Sequence, residues 1–194
     1  MNLIDQRFAA LKSRRATALI PYVTVGDPDL DTSVDIILEL ERAGADIVEL
    51  GVPYSDPLAD GPVIQRAAAR ALSWPLTIVD CIAAAGKARA AGCKLPFILF
   101  TYYNPVLQLG FDRLFELLIQ NDISGLIIPD LPYEENEEIR VRGDRHGIHL
   151  IPLVAPTSER RVAAIAAQAR GFVYCVSSLG VTGMRTDFAA NVET

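Results

Sequence analysis

The stretch VELGVPYSDPLADGPVIQRA, Val48 to Ala67, decides how this chain folds. It opens inside an apolar run of Ile47, Val48 and Leu50 that one carboxylate, Glu49, interrupts. It passes into a loop rich in Pro and Gly and leaves as a helical pattern. In a strand, Ile47, Glu49 and Gly51 point one way, and Val48 and Leu50 the other. Near-continuous apolar runs belong to strands buried on both faces, as in a parallel sheet covered by helices. Glu49 is therefore expected inside the sheet, near its C-terminal rim.

The same unit recurs along the chain. Strand-like runs are TALIPYVTV (Thr17–Val25), DIVEL (Asp46–Leu50), PFILFTY (Pro96–Tyr102), GLIIP (Gly125–Pro129), HLIPLV (His149–Val154) and FVYCVS (Phe172–Ser177). Helical patterns lie between them. One runs from about Ser33 to Ala43, with Asp31, Thr32 and Ser33 as candidate caps and Gly44 as its stop. Another runs from about Glu159 to Arg170, after Thr157 and Ser158. The acidic run EENEE, Glu134 to Glu138, is expected to open a third, facing solvent at the positive end of its dipole. At the N-terminus, Ile4, Phe8 and Leu11 fall on one helical stripe.

Strands alternating with helices indicate an α/β fold with a parallel sheet. No Walker loop and no G-x-G-x-x-G follows the first strand. Polar, Gly and Pro residues gather instead after many strands, which favours a (β/α) barrel over a doubly wound nucleotide-binding sheet. Most strand-to-strand intervals are roughly 23–29 residues, the length of a compact βα unit. The interval from strand 2 to strand 3 is about twice that, which predicts an inserted loop over the C-terminal mouth. Residues 1–194 read as one such domain.

Composition narrows the function. The chain is 51% apolar with a net charge of −6. A broad basic surface is missing, which argues against nucleic acid as a partner. No apolar run approaches the roughly 18 residues of a membrane span. The opening MNLIDQRFAALKSRR has no apolar signal core. Cys81, Cys93 and Cys175 have no metal-like spacing and read as thiols in a reducing cytoplasm. His146 and His149 read as structural or surface residues, and no metal site is expected.

Glu49 is the strongest catalytic candidate. A lone buried carboxylate costs several kcal/mol unless it is protonated or paired. No basic residue lies on the inner strand ends, and Arg66 belongs to the following helix. Desolvation is expected to raise the Glu49 pKa toward neutrality, as a group that both gives and takes a proton requires. Asp60, in LADGP, reads on its residues alone as a turn or N-cap residue before Pro62 in preference to a functional one, and Asp56 shares that ambiguity. Phe100, Tyr102, Ile127, Leu153 and Tyr174 at strand ends each read alone as ordinary barrel core, and together with a buried Glu they suggest a flat apolar slot for an aromatic substrate. After the last run, SSLGVTGMRTD (Ser177–Asp187) suits a mobile lid, a phosphate-holding turn or a plain loop.

PYVTVGDP, VELGVPYSDPLADGPVIQRA, TYYNP, PDLPYEE and GVTG resemble, in order and spacing, the signature blocks of the tryptophan synthase α subunit family. They span nearly the whole chain, and the second block is highly specific. The resemblance implies a (β/α)8 TIM barrel that cleaves indole-3-glycerol phosphate to indole and glyceraldehyde 3-phosphate. It implies that Glu49 protonates C3 of the indole and then takes the side-chain hydroxyl proton. Asp60 would accept the indole N–H and stay ionised in a polar loop. Tyr22, Phe100, Tyr102, Ile127, Leu153 and Tyr174 would line the slot, and Thr182 and Gly183 would belong to the lid. The resemblance also implies no cofactor in this chain. Pyridoxal phosphate would belong to a β subunit partner in an α2β2 heterotetramer, facing Pro53, Asp56, Asn104 and Pro132. Against the family pattern the sequence ends at Thr194, so strands 1–6 are expected without strands 7 and 8 and their phosphate loops, in a polypeptide expected to be longer. Two rivals remain at this point. Another phosphate-binding barrel would need a catalytic Lys or metal-binding His and Asp at the strand ends, which are missing. A non-catalytic activator of a β subunit would not need Glu49 and Asp60.

Overall fold

A computed structural model describes residues 1–155 and 161–176. Chain order is α1 (Leu3–Arg14), β1 (Tyr22–Thr24), α2 (Leu30–Arg42), β2 (Val48–Gly51), α3 (Pro62–Ala71), α4 (Ile78–Ala90) and β3 (Phe97–Phe100). It continues with α5 (Tyr103–Leu109), α6 (Phe111–Gln120), β4 (Ile123–Ile127), α7 (Glu137–His146), β5 (His149–Leu150), β6 (Leu153–Val154), α8 (Val162–Gln168) and β7 (Tyr174–Cys175).

All strand pairs are parallel, in the order β1-β2-β3-β4-β5, with β6 on β7. The run His149–Val154 was expected as one strand and is broken at Pro152, which has no N–H to donate. Its first half pairs with β4 and its second half with β7. The break turns the ladder from one neighbour to the other, so the order remains sequential. Sequential parallel strands covered by helices are the architecture of the (β/α)8 barrel.

Several boundaries differ from expectation. The first strand shrinks from Thr17–Val25 to Tyr22–Thr24. The Leu19 N–H leaves the ladder for Asp46 Oδ2 at 2.9 Å, and Pro21 has no donor. α2 starts earlier than its Ser33 pattern suggests. Asp29 is its N-cap and accepts from Thr32 N. Ser33 is buried instead, where its hydroxyl accepts from Gly26 N–H at 2.9 Å. Gly44, at φ 94°, does end that helix. The long interval after β2 is not mainly loop. It opens with a ten-residue loop, Val52–Gly61, and then carries two helices, α3 and α4, the second opened by a Thr77/Asp80 capping box. EENEE divides between a 3-10 turn, Tyr133–Glu135, and the start of α7. The start expected for α8 lies outside the described residues.

Two apolar clusters follow from strand alternation. Val48, Leu50, Phe97, Leu99 and Leu126 face outward and pack on Ile37, Ile82, Leu114 and Leu118 of the helices. Ile47, Ile98, Ile127 and Ile151 face inward and meet Ile4 of α1. α1 thus closes the N-terminal end of the barrel. Asn2 fastens it there, donating through Nδ2 to Ser124 O and Gly147 O, both at 2.7 Å. His149 is buried and lies 2.9 Å from Asp5, while His146 is exposed and stacks on Phe115. Both histidines are structural, as their sequence context suggested. Among the described residues, no helix is long and apolar enough to cross a membrane.

Candidate active site

The open end of the inner cluster holds the site. In β2, Glu49 follows Ile47 on the inward face, beside Tyr22 of β1 and Ile98 of β3 in register. One step nearer the rim, Thr24, Gly51 and Phe100 align. Gly51 is required by packing. A Cβ there would lie 2.0 Å from the Tyr22 hydroxyl. The missing side chain lets the Tyr22 ring lie across the strand close to Glu49.

Glu49 is 5% exposed, and among the described residues no hydrogen bond or ion pair reaches its carboxylate. Burial alone pushes it from 4.5 up to about 7. At neutral pH both forms are therefore populated, which suits a group that alternately gives and takes a proton. Its charge in turn helps hold the Tyr22 and Tyr174 hydroxyls protonated, although burial is the larger cause at both. Arg66 is exposed on α3 and does not pair with Glu49.

Asp60 differs from expectation in two ways. The cap of α3 is Gly61, without a side-chain hydrogen bond, so Asp60 is not an N-cap. Nor is it solvated. It is 8% exposed, and burial raises its pKa, opposed by a hydrogen bond from the Tyr102 hydroxyl. That hydroxyl also accepts from Ala59 N–H at 2.9 Å, so Tyr102 holds the loop at two adjacent residues. The charge of Asp60 raises the Tyr22 pKa, which puts Tyr22 within electrostatic reach of both carboxylates. Asp56 stays exposed and accepts from Ser55 Oγ at 2.6 Å.

Most of the residues expected to wall the slot pack together, and Tyr102 stands apart from them, stacked on Tyr54. Tyr22 meets Phe100 edge-on at 5.6 Å, and Phe100 meets Tyr174 at 6.4 Å. Ile127, Leu153, Phe100 and Tyr174 belong to one cluster. Flat edge-to-face walls fit an aromatic ring. Thr182 and Gly183 lie outside the described residues. Asp56 and Pro132 are exposed and Pro53 half-buried in the loops that follow β2 and β4, and Asn104 is exposed in the first turn of α5, after β3. Tyr54 escaped the sequence reading. It stacks on Tyr102 at 4.9 Å. It is an aromatic residue in a turn otherwise made of small, polar and Pro residues, and that contrast is the signal that could have found it. Among the described residues, no cluster of three His, Cys, Asp or Glu side chains could hold a metal.

Comparison with known proteins gives this geometry a family. The family model for the tryptophan synthase alpha chain matches residues 8–194. The chain belongs to the tryptophan synthase alpha chain family. A curated alpha chain from Geobacillus sp. (strain WCH70) is 58% identical over 166 residues, 86% of this chain and 63% of that relative. One from Thermoanaerobacter sp. (strain X514) is 48% identical over 193 residues, covering 100% of this chain and 73% of its own. Among solved structures, Mycobacterium tuberculosis tryptophan synthase superposes with a TM-score of 0.88 at 39% identity, covering 94% of this chain and 71% of that one. The chain thus spans about 63% of the length of the Geobacillus relative. Membership in the alpha chain family places the sequential strands in a (β/α)8 barrel.

Proposed function

We propose that this chain carries the catalytic carboxylates for retro-aldol cleavage of indole-3-glycerol phosphate to indole and glyceraldehyde 3-phosphate. The observation that carries the reading is Glu49: an unpaired carboxyl, buried at the rim of a barrel, with a pKa of about 7 beside a slot of flat rings. Family membership supports the choice of substrate.

Protonated Glu49 gives its proton to C3 of the indole, and the positive charge spreads toward the ring nitrogen. Asp60 accepts the ring N–H and offsets that charge. Glu49, now a carboxylate, takes the proton of the side-chain hydroxyl adjoining the ring. The bond from C3 to that carbon breaks, its electron pair returns to the ring, and indole and an aldehyde are released. Glu49 ends protonated, ready for the next cycle. The route draws on side chains alone, so this chain needs no cofactor of its own. Pyridoxal phosphate would belong to the partner.

The partner in this reading is a tryptophan synthase β subunit in an α2β2 assembly, in the cytoplasm. Exposed Asp56, Asn104 and Pro132, with Leu58 at 83% and Leu107 at 52% exposure beside them in sequence, give the rim a mixed apolar and polar face that suits a protein partner. The unpaired thiols of Cys81 and Cys93 suit a reducing compartment.

Indole release from indole-3-glycerol phosphate tests the reading. Glu49→Gln is expected to lose at least the roughly 10²–10⁴-fold that a general acid–base supplies. Asp60→Asn should lose less, because an amide still accepts the N–H but leaves the cation without an opposing charge. Turnover by Glu49→Gln at the parent rate would overturn the assignment.

A further inference from the structure

The loop that carries Asp60 is fastened to the end of β3 by a side chain that the proposed reaction does not use. Tyr54 stacks on Tyr102 with centroids 4.9 Å apart and planes 28° from parallel. Its hydroxyl accepts from Asn104 Nδ2 at 3.3 Å. Tyr102 is 3% exposed, and its hydroxyl bonds both Ala59 N–H and the Asp60 carboxylate. Tyr103, next in the chain, donates its N–H to Asp130 Oδ1 at 2.9 Å, which ties the same turn to the loop after β4. The contacts therefore run without a gap from exposed Asn104 on the rim to the buried carboxylate of Asp60. A hydroxyl holds its hydrogen bonds only as firmly as its ring is held. A ring packed against one flat neighbour is free to tilt if that neighbour is removed.

We infer that Tyr54 is a positioning residue: stacked on Tyr102 and tied to Asn104, it keeps the Tyr102 hydroxyl on Asp60 and so sets where the reacting ring is bound. The inference rests on the reading of Asp60 given above. Tyr54 itself is half-buried at the rim and is not assigned a contact with the reacting atoms. Misplacement by about 1 Å can cost on the order of 10²-fold in rate, so loss of this support should appear in kcat before KM.

Two variants separate the ring from the hydroxyl. Tyr54→Leu removes the stack, and Tyr54→Phe keeps the stack and loses only the tie to Asn104. With indole-3-glycerol phosphate, Tyr54→Leu should lose about tenfold or more in kcat with KM little changed. Tyr54→Phe should restore most of the rate. A carbon-13 titration of the Asp60 carboxyl gives a readout that needs no turnover. The titratable groups facing Asp60 are the Tyr102 and Tyr22 hydroxyls, and Glu49 also acts on Tyr22. Because the Tyr102 hydroxyl favours the carboxylate form, the Asp60 midpoint should rise in Tyr54→Leu and stay at the parent value in Tyr54→Phe. An unchanged midpoint in folded Tyr54→Leu overturns the inference, as does a Tyr54→Phe variant impaired as deeply as Tyr54→Leu. If the parent releases no indole, the proposed function fails, and the titration still decides the role of Tyr54.

Discussion

Glu49 is kept near neutrality by burial and not by a neighbour, and that has a cost in stability. Its folded pKa, about 7, stands above the ordinary 4.5, so between those values the folded chain binds more protons than the unfolded one. Stability is therefore fullest below pH 4.5, falls as pH rises through that window, and is lowest above about 7. The change corresponds to roughly 3 kcal/mol. Glu49→Gln removes the titrating group, so it is expected to be inactive yet more stable than the parent at pH 8, with the gain shrinking toward pH 5. Urea unfolding of both proteins at the two pH values checks this. A parent more stable at pH 8 than at pH 5, with no gain from Gln, would contradict it. The burial of Glu49 and its raised pKa were legible in the sequence, because it lies among buried strand residues with no basic partner in reach. The surroundings of Asp60 were not, because its burial depends on Tyr102, 42 residues further along the chain, folding back over the loop.

Strand β2 shows how one element sets several side chains together. Ile47 just before it and its inward residues Glu49 and Gly51 form in turn the floor, the buried carboxyl and the gap that Tyr22 fills. Gly51→Ala would drive a Cβ against the Tyr22 hydroxyl. Overpacking of this kind costs about 1–3 kcal/mol. It should also lower indole release by displacing Tyr22 from the slot. Thermal melting and turnover measured together test this, and parent values in both would show that Tyr22 relocates freely. The alternation itself, and hence the two clusters, could be read from sequence. The strand ends could not. Leu19 N–H is taken by the Asp46 side chain, and Pro152 breaks the fifth strand where the ladder changes neighbours. Both are tertiary effects on the backbone donors. Of the two helices between β2 and β3, the first was legible from Pro62 and the pattern after it, and the second was missed, although Thr77 and Asp80 form a capping box at its start.

In the molecule as a whole, the loops after β2 and β4 and the chain leaving β3 into α5 are joined by hydrogen bonds at the barrel mouth. The proposed partner face and Asp60 share those loops. Adding a tryptophan synthase β subunit is therefore expected to raise the rate of indole release, since docking at Asp56 and Asn104 steadies the loop that holds Asp60. A rate indifferent to saturating β subunit would count against that coupling. The central claim, that a buried and unpaired Glu49 moves the proton, is tested most directly by a carbon-13 titration of its side-chain carboxyl, assigned by its loss in Glu49→Gln. The account expects a midpoint near 7. A midpoint near the ordinary 4.5 would mean that Glu49 is ionised throughout the neutral range and cannot be the acid.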